Sequence, residues 1–104
     1  MQKESEGRVR DLRSTIREER TKLAEFESQL KDSNVRKLIQ NATNNLDDAE
    51  NIFLRSLDRE SKIPTVESMV IDIAEFVVYQ LAVPLREKVQ KLLKDYGPGV
   101  TLIP

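Results

Sequence analysis

The sequence predicts an all-α protein: an antiparallel hairpin of two long helices, with a third long helix packed along it, kinked near Pro84, and the whole bundle dimerised. Three observations predict it. Apolar residues recur at three- and four-residue steps along three long stretches, which is the spacing of one face of an α-helix. Charged residues make up 34% of the 104 residues and aromatic residues only 5%, a balance that suits long helices with solvated charged faces. Polar or proline-bearing breaks around 31–34 and 61–64 separate the stretches, and connections this short favour antiparallel neighbours.

The first helix is expected from about Ser5 to Lys31. Val9, Leu12, Ile16, Leu23, Phe26 and Leu30 form a narrow heptad-like seam, with Glu19 the one polar residue in it. Glu18 with Lys22 and Glu27 with Lys31 stand one turn apart in the favourable order. Glu4 and Glu6 lie at the start, where acidic groups complement the helix dipole.

Leu30 and Ile39 are nine residues apart, which would put them on opposite sides of one continuous helix. A turn at Lys31-Asp32-Ser33-Asn34 resolves the conflict, with Asp32 or Ser33 as the N-cap of a second helix. One helix whose seam switches face is the alternative. The second helix is expected from about Asn34 to Arg59, with Val35, Leu38, Ile39, Ala42, Leu46, Ala49, Ile52, Phe53 and Leu57 as its seam. Its stretch from Gln40 to Asn45 is rich in mediocre helix formers.

Ser61-Lys62-Ile63-Pro64 ends that helix, because Pro64 biases Ile63 away from helical geometry. Thr65 is the expected cap of the third helix, with Glu67 in its first turn and an end near Asp95. Val66, Met69, Val70, Ile73, Phe76, Val77, Leu81, Leu85, Val89 and Leu92 line one side, and Ile71, Ala74, Val78 and Ala82 widen it. The apolar arc covers roughly 220°, more than two amphipathic companions shield. Pro84 lies inside this pattern and lacks a backbone donor, so a kink over Gln80 to Pro84, or two abutting helices, is expected. Gly97 and Pro98 stop the helix. Residues 1–96 thus make one helical module, and 97–104 an extended apolar tail bearing Val100, Leu102 and Ile103.

The composition excludes much chemistry. With no cysteine there is no disulfide, thiolate metal site or cysteine nucleophile. With no histidine there is no Ser-His-Asp triad, and a metal would have to be held by oxygen ligands. A net charge of −1 gives no global pull toward nucleic acid or acidic membranes. Met1 to Glu6 is polar and lacks the apolar core of a signal peptide, so a cytoplasmic location is expected. The window Met69 to Leu85 falls short of a comfortable membrane span and contains Asp72, Glu75, Gln80 and Pro84, so no membrane partner is expected.

Three surfaces remain as candidates. The leading one is an interface on the third helix, formed by Val70, Ile71, Phe76, Val77, Val78, Leu81, Leu85 and Val89. The arc left uncovered is expected around Ile71, Val78, Ala82 and Val89, and a second copy is its simplest cover. The function this implies is a non-enzymatic assembly or adaptor module, with no cofactor, acting as a dimer or binding another protein. The second surface is the row Arg10, Arg13, Arg17 and Arg20, confined to an arc of roughly 80°. Such a row could track the phosphates of a nucleic acid. It lacks interleaved aromatic residues, and a solvated face with ion pairs to another helix is the alternative. The third is a carboxylate cluster: Asp72 and Glu75 with Ser68 and Tyr79 on the third helix, and Asp48 with Asn44 and Asn51 on the second. Facing carboxylates of this kind can hold magnesium in an all-α enzyme.

Overall fold

A computed structural model describes the chain over residues 3–57 and 64–97, and the side chains over 6–52 and 68–97. The side chain of Thr65 (the expected cap), the connection before Pro64 and the tail beyond Gly97 lie outside these described residues; the Thr65 backbone is already inside a helix that starts at Pro64. Helix α1 runs Lys3–Gln29 and α2 runs Ser33–Leu57. The third arm of the bundle is α3, Pro64–Phe76, followed without a break by a π-helical turn, Val77–Ala82, and by α4, Val83–Tyr96. The described residues contain no strand. The fold is the all-α three-helix bundle that the sequence predicts.

The turn between α1 and α2 forms as the polar run requires. Leu30 N–H reaches back to Glu27 O at 3.2 Å, and Asp32 Oδ1 accepts the Val35 N–H at 3.0 Å. Asp32 is therefore the N-cap, satisfying a donor that the first turn leaves free. At the same end of the bundle, where the third helix stops, Gly97 adopts φ 82°, open to glycine at little cost, and its N–H closes on Leu93 O at 2.8 Å.

Side-chain pairs fix the directions of the helices. Arg20 meets Asp47 and Glu50, while Glu27 meets Gln40, so α1 and α2 run antiparallel. Arg8 meets Asp72 and Glu75, while Glu19 meets Arg86, so the third arm runs parallel to α1. The core is a single column of Val9, Leu12, Ile16, Leu23 and Leu30 from α1, Val35, Ile39, Ala42, Leu46 and Ala49 from α2, and Ile71, Ala74, Val78, Ala82 and Val89 from the third arm. The bundle is a rod with extents of 51 × 19 × 19 Å.

Near Pro84 the helix is irregular as expected but does not become the two abutting helices that were the other expected form, and the rotation of the third helix is corrected. Pro84 does not split the third helix. The turn ahead of it widens instead, and Val83 N–H bonds to Val78 O, five residues back. The widening relieves the clash that a proline ring makes with the carbonyl four residues before it, here that of Gln80. The correction concerns rotation. Ile71, Val78, Ala82 and Val89, expected on the uncovered arc, are buried inside their own chain. A nearly all-apolar helix has no preferred direction by periodicity alone. Its direction comes from Asp72 and Glu75 turning to Arg8, from Arg86 turning to Glu19, and from Ala74 and Ala82, which let the backbones approach. The same rotation leaves Leu38 and Ile52, expected in the α2 seam, exposed.

Candidate functional site

The turn that buries Ile71 and Val78 places four large apolar residues outward. Met69, Ile73, Phe76 and Leu81 are 58%, 57%, 56% and 45% exposed. Steps of four, three and five residues, the last across the wide turn, keep them on one strip about 18 Å long. They present on the order of 400 Å² of apolar side chain, within the range of the largest patch on soluble monomers, which is often a functional one. Half-buried Val70 and Val77 edge the strip on the side of α2. The register set by the ion pairs brings exposed Ile52 of α2 level with the π-helical turn.

The eight residues expected at an interface therefore divide. Phe76 and Leu81 are on the strip. Val70, Val77 and Leu85 are half-buried and pack against the core. Ile71, Val78 and Val89 belong to the core and are out of reach of any partner. Met69 and Ile73 take their place; both were visible in the sequence, but nothing in their spacing set them apart from the inward set.

The arginine row also divides. Arg20 is held by Asp47 and Glu50 of α2, the ion pairing to another helix that was the alternative to ligand binding. Arg10, Arg13 and Arg17 line an open groove of about 500 Å³ together with Glu6, Val9, Ser14 and Glu18. None of the three guanidinium groups makes an ion pair or hydrogen bond among the described residues. The Nε of Arg13 is buried without a partner.

Asp72 and Glu75 do come together, but on a guanidinium. Arg8 Nη2 donates to Asp72 Oδ1 at 2.9 Å and to Glu75 Oε1. The two carboxylates hold the Arg8 guanidinium pKa above the ordinary arginine value, Glu75 contributing most. Among the described residues, no group of three or more acidic side chains is placed to hold a metal ion.

The sequence signal missed a further feature, the ion pair of Glu19 with Arg86. Glu19 stands in the α1 seam only 4% exposed, and Arg86 spans its two oxygens. A polar residue breaking an apolar heptad seam was the clue, though its partner lay 67 residues away.

The helical segment Ser68–Tyr96 is long and apolar enough to cross a membrane by length and composition. In the bundle its inner face is packed on α1 and α2, and Asp72 and Glu75 at its edge are tied to Arg8. No family model, no curated protein and no solved structure matches the chain.

Proposed function

We propose that this protein is a helical assembly module that pairs with a second copy of itself through the strip Met69, Ile73, Phe76 and Leu81. The observation that carries the reading is the outward placement of these four residues while Ile71, Ala74, Val78, Ala82 and Val89 of the same arm fill the core. Three further points favour a second copy. The accessible surface is 7148 Å². Surface scaling gives a compact monomer of 12.0 kDa only about 6000 Å², so a thin rod leaves area that pairing would remove. The strip is nearly symmetric about Phe76, so a twofold axis there sets Phe76 against its copy and the Met69 end against the Leu81 end. A surface of ordinary size needs about 800 Å² from each partner; the strip would form the apolar centre of such a surface, with Ile52 and the polar flanks as its rim.

The charges beside the strip argue against a lipid surface as the cover. Interfacial helices flank their apolar face with lysine and arginine. Here exposed Asp72 stands alongside, and Gln80 lies within the strip.

Sedimentation or light scattering over a wide concentration range tests the proposal. A dimer is expected, converted to monomer by Ile73→Lys with Phe76→Lys. Both positions are more than half exposed, so the substitutions should leave the monomer fold and its melting unchanged within about 0.5 kcal/mol per site. A wild-type chain that stays monomeric at millimolar concentration overturns the proposal.

A further inference from the structure

Among the described residues three guanidinium groups bridge helices, and all three end on carboxylates: Arg8 on Asp72 and Glu75, Arg20 on Asp47 and Glu50, Arg86 on Glu19. Arg10, Arg13 and Arg17 do not. They stand one turn apart along α1, over about 10 Å, on the wall of the open groove. Like charges three and four residues apart repel along a helix, and no ion pair among the described residues neutralises these three. Glu6 is one turn before Arg10 yet makes no ion pair with it. A merely solvated charged face would keep its donors in water. Here the Nε of Arg13 is withdrawn from water and given no acceptor, which is a standing cost.

We infer that Arg10, Arg13 and Arg17 form a binding site for a compact polyphosphate group of two or three linked phosphates. Guanidinium forks match phosphate oxygens two at a time. Arg13 sits at the middle of the row. Turning its Nε and Nη edge into the groove would give the buried donor an acceptor, while Arg10 and Arg17 close from either side. The Ser14 hydroxyl on the same wall is a further donor. The groove itself limits the length of the ligand. Glu6 and Glu18 bracket the row, so a phosphate backbone continuing along α1 would run into a carboxylate at each end. Among the described residues, no aromatic side chain lines the groove to stack a base. A short polyanion fits between the brackets and a duplex does not.

The test is titration calorimetry on the intact chain at low salt, with tripolyphosphate, a nucleoside triphosphate without metal, and a short DNA duplex as separate arms. Sodium sulfate at matched ionic strength controls for unspecific screening. Arg13→Gln and Arg17→Gln are compared with Lys94→Gln on exposed α4, and circular dichroism melts confirm that each variant is folded. Tripolyphosphate should bind at least tenfold tighter than sulfate, should lose at least tenfold in either arginine variant, and should be unaffected by Lys94→Gln. Equal or tighter binding of the nucleoside triphosphate marks a nucleotide as the source of the phosphates; weaker binding marks free polyphosphate. The inference is overturned if no polyphosphate binds, if sulfate does as well, if folded arginine variants bind like the wild type, or if the duplex binds more tightly than either small ligand. The dimer reading plays no part in this outcome, because the strip lies on another helix.

Discussion

Arg86 lays one edge of its guanidinium along the buried carboxylate of Glu19, Nε on Oε2 at 2.8 Å and Nη2 on Oε1 at 3.0 Å. The third guanidinium nitrogen of Arg86, Nη1, donates to Gln90 Oε1 at 3.0 Å, which holds the fork in place from its own helix. This pair crosses from α1 to α4 inside an otherwise apolar column, so it fixes both the register and the rotation of the third arm. Removing one partner strands the other. Arg86→Ala should cost about 3–5 kcal/mol in urea denaturation, whereas Glu19→Leu with Arg86→Leu should be neutral or stabilising.

The same pair has a pH signature. Hydrogen bonding to Glu19 raises the Arg86 pKa above its ordinary value, against an opposing effect of burial. A group whose folded pKa is raised contributes fully below its unfolded pKa and loses the contribution only as pH climbs through the folded one. For arginine that lies beyond the practical range, so the contribution should be flat from about pH 7 to 11. Arg86→Lys loses the fork and introduces an ammonium titrating near about 10.4. The stability gap between wild type and Arg86→Lys should widen above about pH 10, measured by urea midpoints at each pH. A constant gap would show that Arg86 acts through its packing rather than its charge.

Phe76 offers a direct probe of the twofold arrangement, because the chain has no cysteine of its own. Phe76→Cys should cross-link to its copy under mild oxidation at micromolar concentration. Leu38→Cys on α2, equally exposed at 55%, should not. Equal rates at the two sites would indicate random collision.

Arg8 contrasts with Arg86. Its pairs with Asp72 and Glu75 sit at the surface, with the Asp72 side chain 65% exposed. Arg8→Ala should cost at most about 1 kcal/mol, and the loss should shrink further in high salt. Chemical denaturation with and without added sodium chloride reads both effects.

Asp32→Ala removes the acceptor for the Val35 N–H and should cost about 1 kcal/mol. Asp32→Ser should recover most of it, which a thermal melt of the three forms would show.

The helices and the first turn were legible because each rests on local chemistry: three- and four-residue steps, the Asp32 cap and the Gly97 stop are read within one element. The rotation of the third arm was not, because it is decided between elements. Phe76 and Val78 are both apolar and belong to the same wide arc, and only the Arg8 and Glu19 pairs tell which of them turns inward. Bulk misled as well. The core of so slim a bundle takes Ala74 and Ala82 in preference to Met69 and Phe76, since close helix approach favours small side chains where three helices meet. The arginine row was visible in the sequence, but its division was not, because Arg20 found its acids 27 and 30 residues along the chain.

The π-helical turn gives this chain slack. A bond to the fifth residue back encloses one more residue than the ordinary ladder requires, and that surplus sits between Val77 and Ala82. Deleting exposed Gln80 while replacing Pro84 by Ala would let the loop of backbone tighten into a regular helix, with Ile71 and Val89 still facing the same way. The same excision in the middle of α1 or α2 would swing half a helix out of phase. A chain one residue shorter at this point should therefore melt as cooperatively as the original, which makes the segment beside Pro84 the natural place for related sequences to differ in length.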